Sequence, residues 1–237
     1  MNGDYRQTGR VKSAERITTG LRRRRSVRGV EEALDGWNAR HPWSHNDHFH
    51  GWILRNLPAR RSAALDVGCG RGGLLARLAD RFEAVTGVDP NAEMAEAARA
   101  RFAGTSAVEI RQQSLLETTG SYDLVTMVAS LHHLPLEPAL RHASGLVAPG
   151  GRLLVVGLSQ PASLTDVAVD GASLLLDPVV GFVKHPRADR GPAPAADVPI
   201  RDPEETFSEI QEVAERLLPG ARVRRRLFYR YTLRWER

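Results

Sequence analysis

Cysteine is nearly absent from this chain: Cys69 is the only one in 237 residues. A disulfide framework is thereby excluded, and so is a zinc site built on several thiolates. No stretch of about 18 apolar residues escapes interruption by charge, so no segment reads as a membrane span. The N-terminus carries arginines but no apolar stretch ahead of a small-residue cleavage site, so secretion is not indicated and a cytoplasmic location is expected. Lysine is scarce as well. Lys12 and Lys184 are the only two, and the other 31 of the 33 basic side chains are arginine. Together with the many alanines, this skew reads as genomic composition bias rather than selection for phosphate contacts.

What charge there is lies unevenly. The net +5 is made of +7 over residues 1–30, −8 over 31–221 and +6 over 222–237. An acidic body is flanked by two basic ends, so a sequence pI near 10 says little by itself about nucleic acid. Residues 1–28, with the run Arg22-Arg23-Arg24-Arg25 and no apolar periodicity, are expected to be a disordered basic arm.

Helical periodicity starts at Val30, is interrupted at His41-Pro42, and resumes from about Ser44 to Leu57 with Phe49, Ile53, Leu54 and Leu57 on one face. Short apolar runs then alternate with amphipathic segments. Strands are expected at 63–67, 84–88, 107–111, 122–128 and 152–157, and helices at 72–82, 92–102 and 137–147. Such alternation with short links implies βαβ units and a parallel sheet covered on both faces. Residues 161–183 read as buried helical segments, 184–203 as a proline-rich surface loop, and 204–217 as a helix. The alternating tail, Arg222–Trp235, reads as two closing strands. No internal repeat and no second domain is evident. Residues 29–237 form one decorated sheet, with N-terminal helices at about 30–57 and an insert at about 161–203.

The strongest motif is Leu65-Asp66-Val67-Gly68-Cys69-Gly70-Arg71-Gly72-Gly73, which follows an expected strand and opens an expected helix. Glycine at 68, 70 and 72 lets the backbone approach a ligand where a Cβ would collide. Dehydrogenases carry a similar turn, so the surroundings discriminate. Asp89 ends the next strand, 21 residues after Gly68, where a carboxylate can accept both hydroxyls of a ribose.

With LDVGCGRGG, VTGVDPNAEM, SYDLVTMVASLHHL and LVAPGGRLLVVG in that order, the sequence resembles the class I S-adenosylmethionine-dependent methyltransferases from about Ser44 to the C-terminus. The resemblance implies an α/β, Rossmann-like, seven-stranded and mostly parallel sheet of order 3-2-1-4-5-7-6, strand 7 antiparallel, with helices on both faces. It implies S-adenosyl-L-methionine as cofactor. By the same resemblance, Asp66 and the backbone of Gly68 and Gly70 meet the methionine portion, Asp89 holds the ribose, and Pro90 or Asn91 flanks the adenine. Ser114 stands where an aspartate usually accepts from the adenine amino group, so that bond lacks a charge. A strand-end or helix-capping acid is the simpler account of Asp66.

The segment HNDHFHGWILRNLP is similar to a helix of actinobacterial small-molecule methyltransferases that covers the methionine end of the cofactor. That similarity sets Asn46, Phe49 and His50 toward the cofactor and the methyl-transfer site; the simpler account is a polar surface with Phe49 and Trp52 packed inward. No nearby carboxylate and histidine complete a facial set with its three histidines on one helix face, and no metal is expected. Leu131-His132-His133-Leu134 follows the fourth strand at the edge where ligands bind. One imidazole there can take a proton from an acceptor, and His133 is preferred to His132 for it.

Two missing features narrow the acceptor. The Asn/Asp-Pro-Pro-Tyr/Trp stretch of enzymes that methylate base amines is replaced by Val128-Ala129-Ser130-Leu131, and a cysteine nucleophile for pyrimidine carbon is lacking, since Cys69 sits in the cofactor loop. A small-molecule acceptor with an oxygen or nitrogen nucleophile is expected, methylated by in-line displacement at the sulfonium. The alternative is an RNA-directed methyltransferase or RNA-binding module using the arginine-rich ends, testable through its salt dependence. A nicotinamide oxidoreductase is disfavoured by the absence of a second nucleotide signature.

Overall fold

The computed structural model describes residues 45–160, 202–226 and 230–237. The expected basic arm, the first N-terminal helix and the insert at 161–201 lie outside the described residues.

The described elements run α1 (His45–Arg55), β1 (Ala63–Val67), α2 (Gly73–Ala79), β2 (Ala84–Val88), α3 (Ala92–Arg101), β3 (Val108–Arg111), β4 (Tyr122–Val128), α4 (Leu136–Gly145), β5 (Val147–Leu158), α5 (Phe207–Leu217), β6 (Arg222–Arg225) and β7 (Arg230–Glu236). They form one seven-stranded sheet of order β3-β2-β1-β4-β5-β7-β6. The pairs β1–β2, β1–β4, β2–β3 and β4–β5 are parallel, whereas β7 runs antiparallel to both β5 and β6. The expected order and the antiparallel strand are both present.

Strands in such a sheet are buried on both faces and read as nearly continuous apolar runs. Alternation divides them. Leu65, Val67, Val125, Met127, Leu153, Val155, Tyr231 and Leu233 pack with Ala139, Leu140 and Ala143 of α4 and Ile210 and Ala214 of α5. Ala64, Leu124, Leu154 and Val156 face the other way, against Phe49 and Ile53 of α1 and Leu74, Leu75 and Leu78 of α2. Caps fix where the helices begin. The Asn91 side chain accepts from the amides of Glu93 and Met94. Thr206 and Glu209 form a reciprocal capping box at the start of α5.

Two details differ from expectation, and a third concerns the tail. β5 begins five residues early, because Val147 pairs with Tyr122 before the register shifts and resumes at Leu124 opposite Arg152. Single turns of 3₁₀-helix occupy Leu115–Glu117 and Leu131–His133, where only loops were expected. The arginines of the tail divide by strand: Arg222, Arg224 and Arg225 are exposed on β6, which is the sheet edge, while Arg230 on β7 is buried. Charge along an edge strand blocks pairing with another chain.

Candidate functional site

The carboxyl ends of β1, β2 and β4 meet at the glycine-rich loop. Gly68 and Gly70 both take left-handed backbone, at φ 71° and 53°. A Cβ on Gly68 would stand 2.5 Å from Cβ of Ser130, so the loop after β4 closes directly onto it. Ser130 fastens that contact by donating its hydroxyl to the Val67 carbonyl at 2.7 Å. Gly70 is different: a Cβ there would meet nothing within 4 Å. The space in front of Gly70 is open, as a loop that receives a ligand requires.

The amides of this loop are already used. Gly68 N–H and Cys69 N–H donate to the Val88 carbonyl, and Gly70 N–H donates to Asp89 Oδ2 at 2.9 Å. Three successive donors therefore point into the protein. A pyrophosphate is cradled by such donors, so this turn lacks the anion-binding face of a dinucleotide site.

Two carboxylates flank the opening. Asp66, on β1, is buried and accepts the Thr126 hydroxyl of β4 at 2.7 Å. Burial pushes its carboxyl up to about 7, against the downward pull of the Thr126 bond and with a further upward contribution from the charge of Asp89. Asp89, just past β2, is buried too, and its second oxygen accepts the Asn91 amide at 2.9 Å. These amides hold the carboxylate in place, and each oxygen keeps a further lone pair for a ligand hydroxyl. Pro90 beside it is exposed. Cys69 lies beneath the loop, and burial drives its thiol well above the ordinary range, which suits packing and not nucleophilic attack.

The remaining expected residues are spread over several elements. Ser114 caps the turn Leu115–Glu117, its amide and hydroxyl both donating to Glu117 Oε2 at 2.7 and 2.9 Å. Next to it, Leu116 is 47% exposed, the one large apolar side chain so exposed among the described residues. His50 is buried on α1, 4% exposed, so the polar-surface account of that residue does not hold. Phe49 packs inward as expected, while Trp52 is only half-buried. The side chain of Asn46 lies outside the described residues. His132 and His133 have ring centroids 4.1 Å apart, His132 half-buried and His133 exposed. Among the described residues no three His, Cys, Asp or Glu side chains gather as a metal site, and no helix is long and apolar enough to cross a membrane.

Sequence reasoning missed Thr126, Ser130 and Arg230. For Thr126 the signal was present: one hydroxyl inside the apolar run LVTMV, in register with Asp66 on the adjacent strand.

Comparison with known proteins agrees with this geometry. Residues 65–153 match the family model of a methyltransferase domain. An uncharacterized methyltransferase of Mycobacterium tuberculosis is 32% identical over 201 residues, spanning 82% of this chain and 97% of that protein. A ubiquinone biosynthesis O-methyltransferase of Xanthomonas oryzae pv. oryzae is 35% identical over 131 residues, 52% of this chain and 54% of that protein. Among solved structures, magnesium protoporphyrin IX methyltransferase from Synechocystis PCC 6803 with bound SAM superposes with a TM-score of 0.51 at 20% identity, covering 81% of this chain and 77% of that one. On the strand order, the glycine loop between two buried carboxylates and this kinship, the chain belongs to the class I S-adenosylmethionine-dependent methyltransferases.

Proposed function

We propose that the protein methylates an oxygen or nitrogen of a small-molecule acceptor. The observation that carries this is the open space in front of Gly70 just past the carboxyl end of β1, with Asp89 fastened to the Gly70 amide and Asp66 buried near the end of the same strand. Bound S-adenosylmethionine supplies an electrophilic methyl group on sulfur, open to in-line displacement.

The residues present suit that cofactor. With the amides of 68, 69 and 70 turned inward, backbone recognition at this loop falls to carbonyl oxygens, which suit an ammonium group. Asp66, ionised by a neighbouring ammonium, would hold the amino group of the methionine portion. Asp89 would accept the ribose hydroxyls on its remaining lone pairs, Pro90 would flank the adenine, and the Ser114 hydroxyl would accept from its amino group. The exposed side chain of Leu116 gives that ring an apolar neighbour. His50 and Asn46 on α1 would border the reacting methyl group, and His133 would take the acceptor proton to solvent from the rim. The remaining work of the chain is to hold the acceptor in line and keep water out.

Resemblance to an O-methyltransferase of ubiquinone biosynthesis supports a small acceptor. Incubation with S-adenosylmethionine labelled in its methyl group, first with total RNA and then with a low-molecular-weight extract, tests this directly. Label is expected in the small-molecule fraction; label confined to acid-precipitable RNA would replace the proposal with an RNA-directed enzyme.

A further inference from the structure

Arg230 opens β7 opposite Leu158, the last residue of β5. Asp66 is in register with Thr126, Thr126 with Leu154, and Leu154 with Arg234. Arg230 therefore lies four residues beyond the Asp66 row toward the carboxyl edge, roughly 13 Å along the strands. It is also three strands across, on the half of the sheet away from Asp89. Because Tyr231 and Leu233 turn toward α4 and α5, Arg230 turns toward α1. Its guanidinium carbon lies 6.0 Å from the centre of the Phe49 ring.

The side chain is 8% exposed, yet Nε and Nη1 have no hydrogen-bond partner among the described residues, and no carboxylate there forms an ion pair with it. Burial lowers its pKa only to about 10, so the group stays cationic at neutral pH. The Phe49 face offsets part of the cost of burying this charge. By contrast, Asp66 is held by Thr126, Asp89 by two amides and Ser130 by a carbonyl. A buried cation left with open donors is expensive to retain unless an anion arrives.

We propose that Arg230 is a specificity-determining residue that binds a carboxylate carried by the acceptor. A carboxylate matches the single positive charge and the planar donor set of one guanidinium, whereas a phosphate dianion would leave charge uncompensated in a buried site. The inference rests on the methyl-transfer reading above, because the acceptor side of the sheet is defined by it.

Benzoate and its neutral counterpart benzamide are suitable probes, titrated by ligand-observed NMR into the full chain saturated with S-adenosylhomocysteine. Benzoate is expected to bind wild type on the order of tenfold more tightly than benzamide, with that preference abolished in Arg230→Met. The Met side chain keeps most of the aliphatic stem. The same variant is expected to melt at or above the wild-type temperature, since it removes an unpaired buried charge. Equal binding of the two probes to wild type, undiminished benzoate preference in Arg230→Met, or a variant that melts well below wild type would each overturn the proposal. The last result would mark the side chain as structural. S-adenosylhomocysteine affinity, measured separately on both proteins, distinguishes failure of this inference from failure of the methyl-transfer reading.

Discussion

Asp66 shows how a single side chain is set for its task by what surrounds it. Its carboxyl is raised from 3.8 to about 7 in the folded chain, chiefly by burial. The folded state thus holds a proton that the unfolded chain releases. Stability falls as pH rises from about 4 to about 7, and the cost is complete above that range. Asp66→Asn is therefore expected to raise the melting temperature of the ligand-free protein by a few degrees at pH 8 and to change it little at pH 4. A bound ammonium favours the ionised carboxyl, so cofactor affinity should climb as pH rises through 7 in wild type and stay flat in the variant. Calorimetry across pH 6–8 together with thermal melts checks both halves. At this scale chemistry and spacing coincide in the glycine turn and in the two acids proposed for the cofactor, Asp66 and Asp89, and the sequence located them. Arg230, unlike Thr126, was hidden. Alternation tells which residues share a face, but only packing decides how deeply that face is covered. Arg224 and Arg230 look alike in the sequence, although one is exposed and the other buried.

Among the elements, α1 is the one that tertiary contacts must hold. Its eleven residues exceed three turns only slightly, too few to persist alone in water. Phe49 and Ile53 anchor one face, and the chain just past its C-terminal end is fastened by β5, where Arg152 donates to the carbonyls of Asn56 and Leu57 at 3.0 and 2.8 Å. Arg234 adds a longer bond to the Asn56 side chain. Arg152→Ala is expected to cost about 1–3 kcal/mol by leaving those carbonyls without a charged donor. The measurements are urea unfolding, for the cost, and hydrogen exchange, which should speed up in α1 before it does in β1 or β4. Strand boundaries were legible almost residue by residue, because short apolar runs end at glycine, proline or charge. The 3₁₀ turns and the early start of β5 were not. The first of these turns rests on Ser114 meeting Glu117, a local S-x-x-E pattern that went unread, whereas the start of β5 depends on Tyr122 finding Val147 across the sheet, which no local pattern encodes.

Across the described residues of the sheet, the groups proposed for cofactor and acceptor divide by strand. β1 and β2 lead into the two carboxylates and the glycine loop proposed for the cofactor; the turn after β4 and the start of β7 carry His133 and Arg230, proposed for the acceptor. Charge follows the same logic. The acidic body supplies the proposed cofactor carboxylates, and several arginines of the basic tail have structural partners. Arg237 donates to the carbonyls of Gly145 and Val147, and the arginines of β6 line an edge. The strand order was legible through the family resemblance that the motifs carry, whereas the groups proposed for the acceptor were not, since they come from segments far apart in the chain.

Asp89 and the loop it holds are proposed to form the cofactor site. Titration of S-adenosylhomocysteine into wild type and Asp89→Ala by calorimetry at pH 8 tests it most directly. Loss of two charge-assisted bonds predicts affinity weaker by about two orders of magnitude, with the far-UV spectrum and the melting transition retained. Unchanged affinity in Asp89→Ala, or no heat of binding to wild type, would rule out a cofactor site at this loop.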